Sequence, residues 1–128
     1  MAKGLIRQAT LLARSSKQDI DNGAGATVDE VILRHSKPVK LQAAQIVYED
    51  ATSGTVAAAT VQLGVAVGGA TVAAATALEN SKAVGTKTDL TLLITQLAAN
   101  IPLCMRYTGI AATAAGMAHV EVEYTVDE

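Results

Sequence analysis

The chain has 128 residues and a net charge of −2, which fits one small domain and gives no electrostatic reason to expect a nucleic-acid partner. It contains no Trp and no Phe, one Cys, two His and three Tyr, so it lacks the side chains from which active sites and ligand pockets are usually built. We therefore expect a protein that is not an enzyme, has no cofactor, and, lacking a long unbroken apolar run, has no membrane partner.

The hydrophobic half of the chain consists largely of Ala, with Thr and Gly abundant around it. A buried Ala removes little apolar area from water, so a core of this kind is marginal by itself and gains from contact with further chains. Cys104 is the single cysteine, which excludes a disulfide within the chain. This composition favours a chain that assembles with copies or partners.

Residues 1–26 form a predicted N-terminal arm, and residues 27–128 a predicted β-domain. The arm is basic, because Lys3, Arg7, Arg14 and Lys17 precede its first acidic residue, Asp19. Four cations are too few to indicate nucleic-acid binding. Its apolar positions fit neither the period of an α-helix nor that of a β-strand, so the arm could be extended or partly helical. We expect it to become ordered on a partner. The predicted contact residues are Leu5, Ile6, Leu11 and Leu12, which are apolar, and Arg7 and Arg14, which are cationic.

The β-pattern begins in the segment around Val31, which stops before the turn-forming run 36–38. Residues 39–48 then alternate apolar with polar, but the parity of the apolar positions switches after Ala43. Because one extra residue reverses the facing of everything that follows it, this switch predicts a β-bulge. The polar run 49–54 is typical of a hairpin loop.

The middle of the chain predicts further strands with two ambiguities. Residues 57–67 keep one apolar parity up to Gly68-Gly69, and 72–78 follow as a strand, although their Ala content would also suit a helix. The segment 88–95 alternates like a strand, and we favour that interpretation because its flanks are strand-like. An amphipathic helix also fits there, through Leu90, Leu93, Ile94 and Leu97.

The last two predicted strands, 103–108 and 118–126, show the clearest alternation. In the final strand the polar positions include His119, Glu121 and Glu123, which predicts one face exposed to solvent or a partner. Their spacing along a strand is poor for binding one metal ion, so we expect no metal site here.

Two other motifs have simple interpretations. The acids Asp19, Asp21, Asp29 and Glu30 do not have the ligand spacing of an EF-hand loop. The run Gly64-x-x-x-Gly68-Gly69 lacks the Lys-Ser/Thr of a phosphate-binding loop, so we interpret it as a strand end. Seven or eight short strands separated by turns predict an all-β fold, a β-sandwich with a jelly roll as the favoured form.

Several segments together resemble the small capsid decoration, or cement, proteins of tailed bacteriophages. The segments that carry the resemblance are 39–48, 49–54, the pair Leu63-Gly64 with Gly68-Gly69, 102–109 and 118–124. The resemblance implies a β-sandwich or jelly-roll body, made in the host cytoplasm and assembled as a dimer or trimer on the capsid exterior. It further implies contact with the major capsid protein where subunits meet, resistance to internal DNA pressure, and no catalytic residues.

Two alternatives belong to other functional classes. A receptor- or carbohydrate-binding β-module of a phage fibre or spike would share the strand pattern. Sugar sites normally stack a ring on an aromatic side chain, however, and this chain has only three Tyr and no Trp, which counts against that alternative. A small-molecule enzyme on a cupin-type barrel would need clustered His ligands, which the sequence lacks.

Overall fold

The computed structural model describes residues 9–21, 23, 25–54, 56, 59–110 and 115–127. Within these residues the chain forms strands and no helix, so none of the described segments is a helix able to cross a membrane. The strands are β1 (Leu11–Arg14), β2 (Gln18–Asp19), β3 (Thr27–Leu33), β4 (Val39–Tyr48), β5 (Thr60–Gly64), β6 (Ala73–Ala77), β7 (Lys87–Leu90), β8 (Gln96–Leu97), β9 (Leu103–Thr108) and β10 (Met117–Val126). The prediction of an all-β chain is confirmed for the described residues.

The strands form two antiparallel sheets. The larger sheet has the order β1-β10-β4-β7, with the short β2 also pairing with β10 and the short β8 with β4. The smaller sheet has the order β3-β9-β5-β6. The described part of the predicted N-terminal arm is therefore extended and contributes an edge of the larger sheet.

One hydrophobic core serves both sheets. From the larger sheet it contains Ile46 and Tyr48, and from the smaller sheet Leu63 and Tyr107, all at most 1% exposed. The Tyr107 hydroxyl donates a 2.8 Å hydrogen bond to the carbonyl of Ile20, which ties the smaller sheet to the segment after β2. Every buried side-chain polar atom in the described part of the chain has a hydrogen-bond partner, as a stable interior requires.

The predicted β-bulge lies in β4. Glu123 pairs with Ala43, but the next residue, Tyr124, pairs with Leu41, so Gln42 is the extra residue. Leu41 and Ala44 are both buried although they are three positions apart, which is the parity switch expected from the sequence.

Three of the sequence predictions need correction. Residues 49–54 do not close a hairpin, because they belong to the connection from β4 in the larger sheet to β5 in the smaller one. The strand predicted over 57–67 ends at Gly64. In the ambiguous segment, β7 ends at Leu90 and the chain is irregular until β8. Turn-forming residues show that a strand stops, but they do not show which sheet the chain enters next.

The connections between strands gather at the two ends of the sheets. At the terminal end, where β1 begins and β10 ends, lie loops 34–38, 65–72 and 91–102. Asn100 N donates to the carbonyl of His35 at 2.7 Å, Leu93 N to that of Val72 at 2.7 Å, and Asp127 N to that of Pro38 at 2.9 Å.

At the far end lie segments 15–26, 49–59, 78–86 and 109–116, as far as they are described. Gly23 N donates to the carbonyl of Ile110 at 3.0 Å, Thr52 N to that of Lys82 at 2.9 Å, and Ser53 N to that of Ala115 at 3.0 Å. These bonds join the loops of each end into one surface.

Candidate functional site

The predicted contact residues that can be placed lie on β1. Leu11 and Leu12 are 40% and 50% exposed, Ala13 points into the core, and the Arg14 side chain is largely exposed. Leu5, Ile6 and Arg7 lie outside the described residues, and partner contact by all six side chains stays a prediction. The structure thus presents two leucines at the edge of the larger sheet, close to where β10 ends.

Hydrogen bonds hold the segment after β1 in place. Ser15 N donates to the Val120 carbonyl at 2.9 Å, and Val120 N donates to Ser15 Oγ at 2.8 Å. Ser16 N is within 3.1 Å of both carboxylate oxygens of Glu30 in β3. Ser15 therefore extends the pairing of β1 with β10 beyond the strand itself, and Ser16 connects this segment to the smaller sheet.

A chain of charged side chains lies on β10 and the segments beside it. His119 Nε2 is 2.8 Å from Glu121 Oε2, and His119 Nδ1 is 2.7 Å from Glu49 Oε2. Arg14 Nη2 donates to Glu121 Oε2 at 3.0 Å, and Lys17 Nζ is 3.8 Å from Glu49 Oε1. In the order Arg14, Glu121, His119, Glu49, Lys17, the imidazole lies between two carboxylates, and each carboxylate also contacts a cation. We call these five residues the β10 network.

The carboxyl of Glu121 is ionised in this setting. Burial raises the pKa of Glu121, but the hydrogen bond and charge of His119, the charge of Arg14 and a hydrogen bond from Gln45 outweigh burial and lower that pKa overall. The β10 network is therefore an electrostatic contact between β10 and the segment that follows β1.

The predicted solvent-exposed face of the last strand is corrected by this geometry. His119 and Glu121 are buried, because β10 lies inside the larger sheet and the neighbouring long side chains pack on its polar face. Glu49 and Glu121 contact opposite nitrogens of the imidazole, so they do not converge on one metal position. Among the described residues, no group of three His, Cys, Asp or Glu is arranged to hold a metal ion.

The four acids weighed against an EF-hand are divided among separate contacts. Asp29 binds Arg106 and Glu30 binds Ser16 N. Asp19 forms a carboxyl–carboxyl hydrogen bond with Asp21 that raises the pKa of Asp21, and the charge of Asp19 raises it further. Asp19 and Asp21 are therefore neighbours, whereas Asp29 and Glu30 are engaged by other partners.

The exposed apolar side chains of the terminal end are not evident from the sequence pattern. Val67 is 66% exposed and Leu93 58%, and three more large apolar side chains lie in the same loops. These three are Val65, Ile94 and Ile101. Four of the five, all except Ile101, lie in the segments 57–67 and 88–95 that the sequence predicts as strands. In the sequence, the feature that indicates loop 65–72 is the pair Gly68-Gly69.

No protein-family model matches the sequence, and no curated protein matches it. Among solved structures, the chain is similar to a chain of the structure described as the cyanophage Pam1 capsid asymmetric unit, with a TM-score of 0.60 and 13% sequence identity. The match covers 99% of this chain and 98% of that chain. The two chains therefore share their fold over nearly their whole lengths.

Proposed function

We propose that this protein is a non-enzymatic structural component of a virion that binds the outer surface of a phage head and stabilises the capsid, as a decoration protein does. The observation that carries the proposal is the fold shared, almost end to end, with a chain of a phage capsid asymmetric unit. Its partners would be the major capsid protein and further copies of itself.

The strand order supports a jelly-roll β-sandwich for this role. If the two-residue strands β2 and β8 are set aside, the first strand pairs with the last, β3 with β9, β4 with β7, and β5 with β6. A nested pairing of eight strands in two sheets is typical of jelly rolls, which are common in viral capsid domains, and it supports that form here.

A cavity in the described interior is too small for a substrate, which agrees with a structural role. A cavity between the sheets, lined by Ile46, Val61, Met105 and Tyr107 among others, measures about 10 Å³, room for about one water molecule. Tyr48 and Tyr107 are buried and Tyr124 is half-buried, so the chain offers no fully exposed aromatic ring on which a sugar could stack.

The test is binding to phage heads prepared from a deletion mutant of the gene, after light scattering has given the mass of the protein in solution. We expect saturable co-sedimentation at a fixed number of copies per capsid subunit and greater resistance of the heads to heat. A folded protein that does not bind heads but binds glycans in a screen would contradict the proposal and favour the fibre or spike module.

A further inference from the structure

The loops of the terminal end form a surface with a mixed apolar and cationic character. The exposed side chains Val65, Val67, Leu93, Ile94 and Ile101 supply the apolar part. Arg34 and Lys37 are the charged residues of loops 34–38, 65–72 and 91–102, and these loops contain no Asp or Glu. Asp127, which follows β10, is bound by the Gln96 amide at 2.5 Å.

This surface is built by specific contacts of its loops. Gln62 Nε2 donates to the carbonyls of Gly68 and Gly69 at 2.8 and 3.1 Å, which folds loop 65–72 back over the outer face of β5. A Cβ atom at Gly64 would lie 2.5 Å from the backbone carbon of Gly69, so the loop approaches the strand as closely as a glycine allows. Arg34 Nε donates to the Asn100 carbonyl at 3.0 Å, which joins the cationic and apolar parts.

The structure does not describe residues 1–8, which lead to the first residue of β1. Residues 1–8 precede β1, whose first residue, Leu11, pairs with Tyr124 near the end of β10. Eight residues span at most about 27 Å. Their sequence repeats the character of the terminal end, with Leu5 and Ile6 beside Lys3 and Arg7.

The far end is more acidic than the loops of the terminal end. Its segments contain Asp19, Asp21, Glu49, Asp50 and Glu79, against Lys17 and Lys82. Since exposed apolar surface is stabilised by burial and cations by nearby carboxylates, the terminal end fits a protein surface that is apolar at its centre and acidic around it.

We propose that the terminal end is the face that docks on the outer surface of the capsid shell, at a site of apolar side chains surrounded by carboxylates. This inference rests on the proposed function and adds the orientation of the bound protein. The far end then points away from the shell into solvent.

The test uses two matched valines. Val67 at the terminal end and Val84 at the far end are both in loops and are 66% and 65% exposed. We expect Val67→Asp and Leu93→Asp each to weaken co-sedimentation with heads by about tenfold or more, as loss of a central apolar contact does. Val84→Asp should bind within about twofold of the parent protein, and Arg34→Glu should weaken binding most at low salt.

The outcomes separate the two proposals. If the parent protein does not bind heads, the proposed function fails. If it binds and the Val67 and Leu93 variants bind equally well, or if Val84→Asp abolishes binding, the docking face is wrong while the proposed function stands. Thermal unfolding of each variant checks its fold, and Val67→Ser and Leu93→Ser decide the matter if an Asp variant does not fold.

Discussion

The two ends of the molecule are made by the same strands but differ in what their loops expose. The terminal end presents apolar side chains and cations, whereas the far end presents carboxylates and, in its described part, one exposed large apolar residue, Val84. At the far end polar groups bind one another: the Tyr48 hydroxyl lies 2.7 Å from Thr88 Oγ1, which donates to Glu79 at 2.8 Å. The strands thus supply the common scaffold, and the loops assign a different surface to each end.

Of the substitutions that test this difference between the two ends, Gly64→Ala should have the largest effect on stability. The new Cβ would meet the backbone of Gly69 at 2.5–2.7 Å, and backbone cannot move aside as a flexible side chain can. We expect a loss of about 2–4 kcal/mol in the free energy of unfolding, measured by urea titration, together with weaker head binding.

Gly25→Ala is the matched control at the far end. Its Cβ would meet nothing within 4 Å, but φ is +71°, so the substitution should cost only about 1 kcal/mol and leave head binding unchanged. Equal destabilisation by the two substitutions would mean that loop 65–72 is not held as described.

A smaller effect is expected from Glu121→Gln in the β10 network, which reaches from the middle of β10 to the far end. The substitution replaces a buried carboxylate bound by Arg14 and His119, so we expect a loss of about 1–3 kcal/mol at pH 7 in chemical denaturation. The pKa of Glu121 is lowered in the folded protein, so its contribution is present above the unfolded pKa, about 4.3, and is lost as the pH falls through the folded pKa.

Glu121→Gln should therefore lose less stability than the parent protein when the pH falls below about 4. Asp89→Asn, which removes an exposed carboxylate from β7 of the same sheet, is the control and should keep the steeper pH dependence. Parallel pH profiles of the parent protein and Glu121→Gln would contradict the described network.

The smallest effect should come from the Asp29–Arg106 pair, which supports the terminal end from the middle of the smaller sheet. Arg106 Nε and Nη2 donate to the two Asp29 oxygens at 2.8 and 3.0 Å, and these hydrogen bonds and the positive charge of Arg106 lower the pKa of Asp29. Both side chains are partly exposed, so a double-mutant cycle with Asp29→Asn and Arg106→Gln should give a small favourable coupling that falls in high salt.

Arg106 also lies against loop 65–72, because a Cβ at Gly68 would be 2.9 Å from Arg106 Nη1. Arg106→Gln should therefore weaken head binding more than Asp29→Asn does. If Asp29→Asn weakens binding more, the contact of Arg106 with the loop does not contribute to the terminal end.

Local pattern was enough to predict β4 with its bulge, β9 and β10. Alternation along 39–48 and 118–126 reflects which side chains face the core, and the extra residue at Gln42 was visible as a change of parity. The burial of His119 and Glu121 could not be predicted in this way, because the polar face of a strand is covered or exposed according to its neighbours in the sheet. Those neighbours, β1 and β4, are far from β10 in sequence.

The terminal end was missed for a related reason. Val65 and Val67 continue the alternation of β5, so sequence alone extended the strand through them. What ends the strand is the contact between Gly64 and Gly69, which becomes visible only when the loop is seen to fold back. Of the predicted contact residues, Leu11 and Leu12 are exposed as a docking role requires.

The most direct test of the docking face is thiol labelling of free and head-bound protein with a single new cysteine at Val67 or at Val84. The native Cys104 is buried, and burial raises the pKa of its thiol, so it should react slowly in both states. The account predicts that heads protect Val67→Cys from alkylation and leave Val84→Cys as reactive as in the free protein. Protection of Val84→Cys with full reactivity of Val67→Cys would contradict it.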